Sequence, residues 1–105
     1  MNVSQTAKFA LVIAARPDFH NPRLVEPERC WREFLSDMRA RETLCKGFAR
    51  IHENVWQIDL NDGMPLLAYL LEKAVHNSIP LHSLFLDGEP DWIKYPPDAK
   101  PAGEV

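Results

Sequence analysis

An α+β fold in the order β-α-β-β-α-β is predicted by three observations on this chain of 105 residues. Two stretches, at about Pro27–Cys45 and Pro65–Asn77, place apolar residues at three-to-four-residue spacing, the period of a half-buried helix. Four short apolar or alternating runs, at Phe9–Ala15, Phe48–His52, Val55–Leu60 and Leu81–Asp87, have strand length and strand patterning. Turn residues punctuate the junctions, including Pro17, Pro22, Gly47 and Asn61-Asp62-Gly63.

The first strand is apolar on both alternating faces, with Phe9, Leu11 and Ile13 on one and Ala10, Val12 and Ala14 on the other, as expected for a central strand. Arg16–Glu26, with its two prolines, reads as a long loop. Pro27 suits the first turn of a helix whose inner stripe is Trp31, Phe34, Leu35, Met38 and Cys45, and Gly47 stops it. Two alternating strands follow, joined by a two-residue turn at Glu53-Asn54. Asn61-Asp62-Gly63 opens the second helix, with Pro65 in its first turn and Leu67, Leu70, Leu71, Ala74 and Val75 as its buried stripe. Ile79-Pro80 ends it, and the last strand is again apolar on both faces. This is the split βαβ or ferredoxin-like arrangement, a four-stranded antiparallel sheet with two helices on one face. Residues 1–95 form one domain in this reading, and 96–105 read as a disordered tail.

At 46% apolar the chain holds material for a single core. A net charge of −3 argues against a general nucleic-acid or membrane binder. The charge is uneven, however: residues 16–50 carry eight basic and six acidic side chains, residues 51–105 three basic and nine acidic. Cys30 and Cys45 fall at opposite ends of the first predicted helix, about 22 Å apart. They are too far apart to bridge, which suits a reducing compartment. The run Phe9–Ala15 is at the lower limit of a signal peptide's apolar region and has one preceding lysine. With no stretch of membrane-spanning length, the expectation is a cytoplasmic protein.

Two helices cover only one face of such a sheet, yet the first and last strands are apolar on both. The open face therefore needs a cover. A homodimer packed face to face supplies it, with Trp92, Ile93 and Tyr95 as an intermolecular strand or clasp; the alternative is that the tail folds back on its own sheet.

The densest polar cluster is the loop after the first strand. Asp18 and His20 have the chemistry of a carboxylate and a general base, and Arg16 or Arg23 that of a phosphate clamp; a solvated loop is the ordinary alternative. Arg29 and Arg32, on the first turns of the helix, extend the candidate phosphate contacts. His52, His76 and His82 make no ligand-spaced pair, so no metal site is expected from them. The acidic turn Asp87, Glu89 and Asp91 leaves a divalent cation open as the sole cofactor, against plain turn chemistry. No glycine-rich phosphate loop and no nucleophile elbow occur.

The stretch from Asn54-Val55-Trp56-Gln57-Ile58-Asp59-Leu60 through Leu84-Phe85-Leu86-Asp87-Gly88-Glu89-Pro90-Asp91-Trp92 resembles the back half of a group of small ferredoxin-like ribonucleases. That group holds the CRISPR-adaptation endonuclease family and the ribonuclease antitoxin of the ghost-cell toxin system. The resemblance implies a homodimer that binds or cleaves nucleic acid, in a defence or toxin–antitoxin-like role. The CRISPR members bind metal with carboxylates at the end of the first strand. Here that position reads Ala14-Ala15-Arg16, and the nearest carboxylate is Asp18, which counts against a shared metal centre.

Two functional expectations follow. One is RNA binding or endoribonuclease-like processing, with Arg16, Arg23, Arg29 and Arg32 on phosphates and Asp18 or His20 in proton transfer. The other is a non-catalytic interaction or regulatory module that engages a protein partner.

Overall fold

In a computed structural model of the chain, residues 7–93 are described. They form β1 (Phe9–Ala14), α1 (Pro27–Glu42), β2 (Phe48–His52), β3 (Val55–Asp59), α2 (Met64–His76) and β4 (Leu81–Leu86). The strands make one antiparallel sheet in the order β2-β3-β1-β4, so the α+β, ferredoxin-like arrangement expected from the element order is the one observed. The stretches at 1–6 and 94–105, with Tyr95 and the tail expected to be disordered, lie outside the described residues.

Register assigns the faces. Leu11 pairs with Gln57 on β3 and Leu84 on β4, while Val12 pairs with Trp56 and Ser83. Ala10, Val12 and Ala14 are buried beneath the helices with Trp56 and Ile58. The helices close this core with Trp31, Phe34, Leu35 and Met38 from α1 and Leu66, Leu67, Leu70 and Ala74 from α2. Phe34 is its centre: it stacks on Trp31 and meets Trp56 edge-on, each at 6.0 Å between ring centroids.

The junctions depart from expectation in instructive ways. Helix α1 ends at Glu42 rather than Cys45, because Leu44 and Cys45 donate their N–H groups three residues back, to Arg41 and Glu42, and tighten the chain out of the helix. Cys45 therefore sits in the following loop, and both cysteines are free. The buried stripe of α2 includes Leu66, while Leu71 and Val75 are exposed. Tyr69 and Lys73 turn toward α1, where Arg41 lies over the Tyr69 ring and Lys73 approaches Asp37 at 3.5 Å. That docking rotates Leu71 and Val75 out of the core.

Helix α2 closes with Ile79 N–H on the Ala74 carbonyl and Ser78 N–H on that of Val75, a Schellman ending with Ser78 at φ 58 where glycine is usual. The α1–β2 and β3–α2 loops meet backbone to backbone at Gly47 and Gly63. Gly47 takes φ 77, and a Cβ on Gly63 would overlap the Gly47 carbonyl, Ile58 Cγ2 and the Asp59 carbonyl.

On the open face, Trp92 folds back over its own sheet, its indole N–H donating to Gln57 Oε1 at 2.6 Å. Gln57 is buried beneath this contact, while Trp92 stays half exposed and Ile93 is 84% exposed. The last strand, apolar on both faces, is an edge strand with four of its six residues exposed.

Candidate functional site

The loop after β1 is shaped by its own side chains. Asp18 Oδ1 accepts the His20 backbone N–H at 2.9 Å, and Asn21 Oδ1 accepts that of Arg23 at 2.9 Å. These consecutive Asx turns shape the loop, and Phe19 between them packs against the core. Their consequence for chemistry is direct: a lone pair of the Asp18 carboxylate is committed to turn formation, and Asp18 and His20 are both exposed. The loop ends at Glu26, at φ 48, a left-handed conformation beside Pro27.

The four candidate arginines divide between two clefts. Arg16 and Arg32 line one of about 450 Å³ with Phe19, Trp31 and Asn54, together with Glu28 and Glu53. Arg23 and Arg29 line another of about 310 Å³ with Leu24, Cys30 and His76. Asp18 and His20 line neither. The proposed proton-transfer groups and phosphate contacts therefore do not converge on one point.

Two of these four arginines are already matched by glutamates. Arg29 bonds Glu26 at 2.7 Å and Glu33 at 2.9 Å, and Arg32 meets Glu28 at 3.1 Å. The hydrogen bond to Glu26, then the charges of Glu26 and Glu33, hold the Arg29 guanidinium above its ordinary pKa, so it stays cationic and paired. Arg16 is bound differently, its guanidinium stacked over the Phe19 ring at 4.4 Å from the centroid, which leaves its N–H edges available.

Two residues not singled out from sequence organise this region. Asn54, in the β2–β3 turn, donates its side-chain amide to the Ala14 carbonyl at 2.9 Å and accepts the Ala14 N–H on its own carbonyl at 2.9 Å, fixing the hairpin against the end of β1. Glu42 Oε2 accepts from both Trp56 Nε1 at 2.7 Å and Arg50 at 3.0 Å, with Arg50 lying over the Trp56 ring. A glutamate at the end of an amphipathic helix reads as surface; only its position over β3 makes it a clamp.

Among the described residues no group of three or more His, Cys, Asp or Glu side chains is placed to hold a metal ion, and this includes Asp87, Glu89 and Asp91. No described helix is long and apolar enough to cross a membrane. No family model, curated protein or solved structure matches this chain.

Proposed function

We propose that this protein is a non-catalytic interaction module that works by engaging another polypeptide. The observation that carries this reading is the exposed apolar surface around the β4 edge of the sheet. Leu84 and Phe85 on β4, and Met64, Leu71 and Val75 on α2, are each 46–82% exposed. Exposed large apolar side chains concentrated on neighbouring elements mark a contact surface more often than chance. The loop after β1 gives less support to catalysis: Asp18 and His20 are exposed, and Asp18 Oδ1 is taken up by the turn that it forms with the His20 backbone N–H. A cytoplasmic setting suits the module, with Cys30 and Cys45 both free thiols.

The test is a photo-crosslinking residue in place of Phe85, with a second variant carrying it in place of Arg32. Polypeptide adducts from position 85 without RNA adducts from position 32 are expected. RNA adducts from position 32 alone would overturn the reading.

One observation favours a second reading, RNA binding. Arg16, Phe19, Trp31 and Arg32 share one cleft, pairing cations with aromatic surface as single-stranded RNA sites do. The resemblance of residues 54–92 to the small ribonuclease group points the same way, and extends to an endoribonuclease-like or toxin–antitoxin-like role. This reading requires binding that weakens steeply with salt and with Arg16→Ala. Its catalytic form requires RNA cleavage that Asp18→Ala or His20→Ala abolishes, with Mg²⁺ and EDTA arms to test for a cation.

A further inference from the structure

We propose that β4 and the adjoining flank of α2 form a docking surface for a second copy of this chain, joined strand to strand about a two-fold axis. The proposal rests on the interaction-module reading and names its partner.

The backbone comes first. In the sheet order β2-β3-β1-β4, β4 pairs on one side only among the described residues. Ala15 donates its N–H to the Pro80 carbonyl at 2.8 Å, and the β1–β4 register is regular from there to Leu86. Alternation along an antiparallel pair then turns the N–H and C=O groups of Ser83 and Phe85 outward, away from β1. An antiparallel strand of like length satisfies them, and a second β4 is such a strand.

The side chains agree. Phe85 pairs with buried Ala10 and so stands on the helix-bearing side, whereas Leu84 pairs with Leu11 and stands on the open side. Helix α1 is anchored over β2 and β3 by Glu42, so the flank of α2 turned away from α1 is the β4 side. Met64, Ala68, Leu71 and Val75 occupy that flank at spacings of four, three and four, and all are exposed. On the helix-bearing side Phe85, Met64, Leu71 and Val75 expose roughly 400 Å², within the range of the largest patch of an ordinary monomer. Leu84 on the open side and the strand backbone add to this, toward the ~800 Å² that each partner of a stable complex buries.

Charge permits a copy of the same chain here, where it opposes one elsewhere, and the self-complementary strand edge selects it. Residues 51–105 carry nine acidic and three basic side chains, so most surfaces of this half repel a second copy. Neither the α2 stripe nor the span Leu81–Leu86 contains an acidic or basic residue other than His82, and the nearest acidic residues, Glu72 and Asp87, stand at the rim of this surface. The chain's own segment after β4 leaves the edge uncovered up to Trp92, which sits over Gln57 on β3.

Sedimentation equilibrium of the purified full chain tests this. The expected result is a reversible dimer whose dissociation constant rises roughly 30-fold or more in Phe85→Lys and in Val75→Glu. Ile93→Asp, on the open face, should leave it unchanged. Phe85 and Val75 are exposed, so at concentrations low enough to keep the wild type monomeric both variants should share its unfolding midpoint. A dimer that survives Phe85→Lys but is split by Ile93→Asp would move the contact to the open face and overturn the proposal. A wild-type chain that stays monomeric at every concentration would also overturn it. Polypeptide adducts from position 85 would then preserve the interaction-module reading, and their absence would remove that as well.

Discussion

The two edges of the sheet meet the same problem with opposite means. At the β2 edge the strand has five residues, its register breaks between Arg50 and His52, and Arg50 is held by Glu42, the Trp56 ring and the Glu53 carbonyl. Bulge, charge and brevity are the devices by which sheet edges avoid pairing with strangers. At the β4 edge the strand has six residues in unbroken register, without proline, lysine or bulge, and with Leu84 and Phe85 58% and 56% exposed on opposite faces. An edge left open while its counterpart is guarded reads as a surface in use.

The comparison is broken most severely at the glycine contact beside the guarded edge. Gly63→Ala should cost about 3 kcal/mol or more, because the new Cβ meets two carbonyls and the Ile58 side chain. Urea denaturation measures it, and an unchanged midpoint would show that the two loops can part. Glu42→Ala comes next, at about 2 kcal/mol, since Trp56 Nε1 and Arg50 both lose their acceptor. Amide exchange in β2 should quicken while self-association stays the same.

Smaller still, Ser78→Gly should stabilise by about 1 kcal/mol, relieving a left-handed serine at the entry to β4. The midpoint of thermal unfolding should then rise by about 5 °C. The smallest effect belongs to Arg29→Ala. Its ion pairs are solvent-exposed, so neither stability nor self-association should change measurably, and the residue guards no edge.

The element order was legible because each element carried its own local signal: Pro27 and Pro65 at helix starts, the 3.6-residue period of α1, and the alternation of β2 and β3. What failed shares one cause. Both helix faces bearing Leu67–Leu70 and Leu71–Val75 are apolar, and periodicity cannot say which one tertiary packing will bury. Likewise Leu81–Leu86 is apolar on both faces, which describes a buried central strand and an edge awaiting a partner equally well. In the candidate site, composition located the arginine-rich loop. Which arginines meet glutamates depends on spacings of three and four along α1, and on Glu26 turning left-handed before Pro27. The Glu42–Trp56–Arg50 clamp joins three elements and left no signal in any one of them.

The most direct test of the open-edge account is residue-resolved amide hydrogen exchange as a function of protein concentration. The account predicts that the Ser83 and Phe85 amides gain protection as concentration rises while those of β2 do not. Protection at Ser83 and Phe85 that is the same at all concentrations, or a gain confined to Gln57 and Trp92 on the open face, would contradict it.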